Sequence, residues 1–309
     1  MTKRVFRIGT RGSALAMWQA NWVANALRAR GHEIEVVRIT TSGDQSQTSP
    51  LRGFGGVGVF VKELEQALAS EKVDMAVHSL KDLPTERVDG LCLAAIPPRA
   101  AVEDVLITRS GEPLEELLPG AKVGTGSARR RAFLTHQRGD LRMQEIRGNV
   151  DTRLAKLTVG EYDAIILAAA GLERLGLTDR VTQRLSTEWM LPAVGQGALG
   201  IEARAEDAGV IEILGAIDHP ATRKAVIAER TLLAELRAGC LAPVGAWARA
   251  GDDATHIALD AAVASTDGTK RIDVCEVGGA ASPVELGRKA AGELLRKGAA
   301  EIIAAERNS

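Results

Sequence analysis

The strongest constraint on this chain is a repeated alternation. Short apolar or β-branched runs give way to segments of helical period, with turns rich in Gly, Ser, Thr or Arg between them. Val5–Gly9 reads as a strand, and Leu15, Trp18, Trp22 and Ala26 then recur at helical spacing over Ala14–Leu27. Glu33–Ile39, Val73–Val77 and Leu91–Ile96 predict further strands, and Phe60–Ala69 predicts a helix. Pro97-Pro98 breaks the series, which then restarts. Strands are predicted at Val105–Thr108, Lys122–Gly124, Met143–Ile146 and Ala164–Ala168, with helices at Ala128–Gln137, Val150–Thr158 and around Leu172. A second crossing, Leu191–Gly197, leads into a strand at Ala198–Ala203 and helices at Ile211–Ile217 and Ala221–Leu236. Such alternation predicts an α/β fold, with mostly parallel sheets covered by helices on both faces, built twice. Ligands of such folds sit at the carboxyl ends of strands, here in the cleft expected between the two halves. The last part differs. Strands at Ile257–Ala264 and Arg271–Val277, joined by Ser265-Thr266-Asp267-Gly268, and a closing helix at Pro283–Arg296 make a small α+β unit.

Composition removes several function classes. At about 100–200 residues per domain, 309 residues predict two or three domains. Basic and acidic side chains number 39 and 40, which argues against a general nucleic-acid binder, and 3% aromatics leave no base-stacking platform. No apolar run approaches the roughly 20 residues of a membrane helix. No apolar segment follows the N-terminal charges as a secretory signal would require. Three scattered cysteines make neither a disulfide framework nor a zinc site, so the cytoplasm is the expected compartment. The five histidines lack zinc-enzyme spacing and are expected mostly on surfaces or loops.

Position matters more than composition at the turns. Gly53–Gly58 fits G-x-G-x-x-G, but polar, proline-broken sequence precedes it where a dinucleotide site needs a strand. It reads instead as part of a mobile loop, Thr40–Gly58. Arg11-Gly12-Ser13 lies between a strand and a helix, where an anion site and a plain helix cap are equally natural readings. His78-Ser79-Leu80-Lys81-Asp82 crowds polar groups at a strand's end, where Asp82 is placed to stabilise a developing cation or move a proton. Gly124-Thr125-Gly126-Ser127 opens a helix with Arg129, Arg130 and Arg131 in its first turn. Positive charge there opposes the helix dipole by about 0.3–1 kcal/mol per residue, and a bound anion would account for it. Arg147 and Arg153 flank the next helix start, so the arginines read as a socket for several carboxylates. Cys92 and Cys275 lie in strands and read as structural, Cys92 as an inert core thiol. Cys240, in a Gly/Pro loop, reads as a reactive or modified thiol.

In family order, these motifs resemble the porphobilinogen deaminases almost end to end. The matching segments are Arg11–Ala16 with Gln19, Phe60–Glu63, Val77–Pro84, Gly124–Ser127 with the arginines, Arg147–Leu154, Leu191–Ala198, and Glu229-Arg230 through Cys240 to Gly245. The resemblance implies two similar α/β domains of the type II periplasmic-binding-protein kind, 1–97 with 198–216 and 103–192, plus a small α+β domain, 219–309. It implies a dipyrromethane cofactor joined to Cys240 by a thioether. Four porphobilinogen units then add head to tail, each losing ammonia, and hydrolysis releases hydroxymethylbilane. It assigns Asp82 as the catalytic carboxylate that stabilises the azafulvene cation left by ammonia. Cofactor and substrate carboxylates fall to Arg11, Ser13, Ser79, Lys81, Thr125, Ser127, Arg129, Arg130, Arg147, Arg153 and Gln196, with Phe60 stacking from the loop. A monomer without nucleic-acid or membrane partners is expected. The chain departs from many relatives at Gly53 and Val57, where they carry lysines, and at Ala238, where they carry glycine. A non-catalytic carboxylate-binding protein of the same two-lobed build would need the arginines but neither Asp82 nor Cys240. A dehydrogenase ranks third.

Overall fold

A computed structural model describes residues 4–40, 61–86, 88–239, 242–251 and 255–307. The loop expected over Thr40–Gly58 lies, from residue 41 on, outside the described residues, as do Phe60 and Cys240. The chain divides into two compact units, 1–100 with 197–223 and 101–196 with 224–309.

In chain order the first unit begins with β1 (Val5–Thr10), α1 (Ala14–Arg28), β2 (Glu33–Arg38), α2 (Lys62–Ala69), β3 (Met75–Ser79) and β4 (Leu91–Ala95). The second unit supplies β5 (Asp104–Thr108), β6 (Lys122–Gly124), α3 (Ala128–Gln137), β7 (Arg142–Gln144), α4 (Val150–Thr158), β8 (Ala164–Ala168), α5 (Ala169–Arg174) and β9 (Gln183–Arg184). The chain then returns to the first unit with β10 (Leu199–Arg204) and α6 (Ala208–Gly215). The helix α7 (Pro220–Glu235) leads to β11 (Val244–Ala250), β12 (His256–Ala264), β13 (Arg271–Gly279), α8 (Pro283–Arg296) and α9 (Ala299–Arg307).

Two five-stranded sheets result, with orders β2-β1-β3-β10-β4 and β7-β6-β8-β5-β9. Four strands of each run in one direction, and β10 and β5 run against both of their neighbours. In the first sheet α1 buries Ala20, Val23, Ala24 and Leu27 at helical spacing against Ile8, Met75 and Val77, while Leu64 and Leu68 of α2 pack with Val73 and Ala76. Each fully buried Leu contributes about 1.5–3 kcal/mol, so Leu27→Ala removes one anchor of α1 and leaves a cavity. At the opposite end of this unit Asp74 accepts from Arg4, Arg7 and Arg204, and Asp207 accepts from Arg4 and Arg204. In the second unit the antiparallel sheet β11-β12-β13 packs Leu259, Ala261 and Val263 against Leu232, Leu286, Leu294 and Ile302. Its Ala262 and Ala264 join the core around Phe133.

Several expectations need correction. β3 starts at Met75 and runs on to Ser79, because His78 and Ser79 pair with Gly200 and Leu199 of β10. The histidines lie mostly at the surface, as expected, and His78 is the exception: it is buried, with Nε2 3.0 Å from the Glu202 carboxylate. β5 includes Asp104, one residue earlier than expected. The helix α8 does not close the chain, because α9 follows it after Gly298 and buries Ile302 and Ile303. The strands β9 and β11 were not anticipated. Cys92 is half-exposed on β4 rather than a core thiol, and Cys275 is exposed on β13. A hydrogen bond to the Asp260 carboxylate, then burial, pushes the Cys275 thiol pKa up, which disfavours the reactive thiolate.

Candidate functional site

In the first unit the candidate residues gather at the carboxyl ends of β1 and β3. The Ser13 side chain caps α1, its Oγ accepting from the Ala16 N–H at 3.3 Å, so the cap reading of Arg11-Gly12-Ser13 holds for Ser13. Arg11 lies beside it, half-buried. Ser79 Oγ accepts from Gln19 Nε2 at 2.8 Å, and Gln19 is buried, so α1 and the end of β3 are tied together. The chain then makes a short 3₁₀ turn, Leu80–Asp82, because Leu80 is buried and its N–H donates to Ala198 O at 3.0 Å. That anchoring leaves Lys81 half-buried and turns Asp82 out to solvent.

The second unit repeats this layout with different chemistry. Thr125 is buried, its Oγ1 accepting from the Ser127 N–H at 3.2 Å, and Ser127 caps α3 by accepting from the Arg130 N–H. Arg129 and Arg130 do not stand out in solvent. They are 3% and 6% exposed and converge on Asp104, which is 0% exposed. Arg130 donates to Asp104 Oδ1 through Nε (3.0 Å) and Nη2 (2.8 Å), and to Ile166 O through Nη1 (3.0 Å). Arg129 Nη2 forms an ion pair with Asp104 Oδ2 at 2.7 Å, while Nη1 donates to Leu191 O at 2.6 Å. Gln196 adds a donor to Asp104 Oδ1 at 2.9 Å and another to Val102 O at 2.7 Å.

Asp104 is the residue that sequence reasoning missed. An acidic side chain abutting the apolar run Val105–Thr108 was the available signal. It supplies from inside the fold an anion for the arginines at the start of α3, where the sequence suggested an external one. Burial alone would raise its pKa. The charges of Arg129 and Arg130, with hydrogen bonds from Arg130 and Gln196, outweigh burial and hold the carboxyl well below its usual range. Burial pulls the Arg129 pKa down, and its Nε is buried without a hydrogen-bond partner among the described residues. Arg174, at the end of α5, was also overlooked: burial pushes its pKa down to about 10.

Arg147 and Arg153 surround the next strand-to-helix turn. Arg147 is half-buried and pairs with Glu145, its Nε donating at 2.9 Å. Arg153 Nε donates to Gly148 O at 2.8 Å. Gly148 has φ +110°, and a Cβ there would fall 2.6 Å from Thr152 Cγ2, so only glycine fits between the two arginines. Asn149 caps α4 through the Thr152 N–H and hydroxyl, at 2.9 and 2.8 Å. Thus Arg129, Arg130 and Gln196 share one partner, whereas Arg147 and Arg153 form a separate, more exposed group. Phe60 and Cys240 lie outside the described residues.

Two family models match the chain. The porphobilinogen deaminase dipyromethane cofactor binding domain covers residues 6–212, and the porphobilinogen deaminase C-terminal domain covers residues 223–296. The porphobilinogen deaminase of Desulforudis audaxviator is 52% identical over 304 residues, covering 98% of each chain. That of Brevibacillus brevis is 44% identical over 301 residues, covering 97% of this chain and 96% of its own. That of Geobacter sulfurreducens is 46% identical over 300 residues, covering 96% and 93%. Among solved structures, a methionine binding protein aligns over 69% of this chain and 89% of its own, with 13% identity and a TM-score of 0.45.

Proposed function

The chain belongs to the porphobilinogen deaminase family, and we propose that Asp82 and the arginines of the two units divide its chemistry between turnover and binding. The activity is that of a transferase, hydroxymethylbilane synthase: four porphobilinogen molecules condense head to tail with loss of ammonia. The observation that carries this reading is the family match over both the cofactor-binding and C-terminal segments. We keep three domains, 1–97 with 198–216, 103–192 and 219–309. We also keep a cytoplasmic monomer that binds no nucleic acid; no helix among the described residues is long and apolar enough to cross a membrane.

The residues present fit a dipyrromethane group. Porphobilinogen carries an acetate and a propionate, so a chain of pyrroles gathers carboxylates, and guanidinium forks match carboxylates in bidentate fashion. The buried Arg129 Nε has no acceptor among the described residues, and a pyrrole carboxylate would supply one. When bound through Cys240, the cofactor offers the pyrrole carbon to which the first substrate is joined. Arg129, Arg130, Arg147 and Arg153, with Ser127 and Thr125, hold acidic side chains of the bound pyrroles. The family resemblance also assigns Arg11, Ser13, Ser79 and Lys81, with Gln196 and Phe60, to binding cofactor and substrate.

Asp82 stands at the exposed end of a turn pinned by buried Leu80, so its carboxylate keeps a fixed place while remaining open to substrate. There it accepts hydrogen bonds from pyrrole N–H groups and offsets the positive charge that appears on the substrate as ammonia leaves. A preorganised charge of this kind is worth about 10²–10³ in rate.

The test is direct. Purified protein incubated with porphobilinogen should release ammonia and a linear tetrapyrrole, and its intact mass should exceed the chain mass by two linked pyrroles. A Cys240→Ser variant should lack that increment. An unmodified wild-type chain that binds porphobilinogen without releasing ammonia would instead be a carboxylate-binding protein.

A further inference from the structure

Asp104 sits at the first position of β5, fully buried, between two arginines that the fold brings to the same point. Two guanidiniums and one carboxylate leave a net single positive charge in a place without solvent. The two arginines are not equivalent. Arg130 is tied off, with Nε and Nη2 on Asp104 Oδ1 and Nη1 on Ile166 O. Arg129 pairs with Asp104 Oδ2 at 2.7 Å, and its Nε has no hydrogen-bond partner among the described residues. The positive charge left over is shared by the two guanidiniums, each of which pairs with one Asp104 oxygen. Gln196 fixes the carboxylate from a third direction, so the aim of both arginines depends on one side chain.

We propose that Asp104 is a positioning residue: it cancels one of the two guanidinium charges and orients Arg129 and Arg130 so that the pair presents one net positive charge to a pyrrole carboxylate. This rests on the reading that the arginines bind the cofactor's acidic side chains. With Asp104 neutralised, two guanidiniums face each other in a desolvated site, and a bound carboxylate becomes the only anion that relieves them. Cofactor and Asp104 are thereby thermodynamically linked, which a purely structural contact would not be.

The linkage is read by melting temperature. Wild type and Asp104→Asn are each prepared as the primed holoenzyme and in an unprimed Cys240→Ser background, and the primed-minus-unprimed difference is compared. The difference should be wider in Asp104→Asn by about 2–4 °C or more, because the adduct's carboxylates replace the missing anion. An equal fall in both forms, leaving the difference unchanged, overturns the proposal while leaving the family chemistry intact. Absence of the two-pyrrole adduct from wild type, checked by intact mass, overturns the functional reading and this inference with it. If Asp104→Asn does not fold, adding Arg130→Gln removes one guanidinium and restores the single charge. Recovery of a folded protein, read by its melting temperature, is then the expected result, and failure of that rescue refutes the charge-balancing role.

Discussion

In both five-stranded sheets the fourth strand runs against its neighbours, and it opens on Leu199 in the first unit and on Asp104 in the second. Leu199 pairs with Ser79 at the end of β3, and Asp104 pairs with Ala168 at the end of β8. Both are buried, yet one is apolar and the other an anion. The consequences diverge. Around Leu199 the interior is filled, and the polar group of the following turn, Asp82, is turned outward. Around Asp104 the interior holds a charge, and the turn after β6 sends Arg129 and Arg130 inward to meet it. One strand order thus supports an exposed acid in one unit and a buried cationic cluster in the other. The difference lies in a single strand-opening residue and the groups it recruits.

The largest effect expected from this contrast is at the exposed acid. Asp82→Ala should cut steady-state turnover by about 10²–10³ while leaving the fold's melting temperature within a degree or two of wild type, since the side chain is in solvent. A near-normal rate would erase the functional distinction between the units.

The second effect is on stability. Arg130→Ala removes both hydrogen bonds it makes to the buried Asp104 carboxylate, and breaking a buried pair costs about 3–5 kcal/mol. Denaturant titration should show this loss, whereas Arg147→Ala, whose partner Glu145 is exposed, should cost under about 1 kcal/mol. Equal losses would mean that the interior of the second unit is no more committed to its charges than its surface.

Acid should also sharpen the comparison. Burial opposes the ionised forms of Asp74 and Asp207, but hydrogen bonds from Arg7 and Arg4 win and lower both carboxyl pKa values, as the Arg129 and Arg130 charges do for Asp104. Folded values below the unfolded ~3.9 mean that these groups stabilise the protein fully above about pH 4 and lose that contribution as pH falls through the folded values. Melting temperatures between pH 5 and 2.5 should fall steeply, and Asp74→Asn should flatten part of that fall. A slope unchanged by Asp74→Asn would exclude the first unit's ion cluster from the acid response.

The smallest effects belong to the caps. Ser13→Ala and Ser127→Ala each remove an equivalent N-cap, after β1 and β6, the second strands in their sheet orders, and should each cost about 0.5–2 kcal/mol in chemical denaturation. A cost at only one of them would show that the shared layout does not carry shared energetics.

Much of this could be read from residues in order. The helices over Ala128–Gln137, Val150–Thr158 and Pro283–Arg296 were legible to the residue, because each has a cap or proline at its start and apolar residues at helical spacing. The extension of β3 to Ser79 was not, because its polar residues are stabilised by pairing with β10, more than a hundred positions away. The arginines of α3 were conspicuous for opposing the helix dipole, but their partner lies in another strand, and no local pattern joins Asp104 to Arg130. Cys92 misled because alternation places a residue on a face without saying whether anything covers that face.

The division of labour is tested most directly by mass spectrometry of the intact Asp82→Ala and Arg130→Ala proteins, before and after porphobilinogen is added. The account predicts that the Asp82 variant carries the two-pyrrole increment but advances no further, and that the Arg130 variant lacks the increment or stalls early. An Asp82 variant that elongates at the wild-type rate, or an Arg130 variant fully primed and elongating normally, would contradict it.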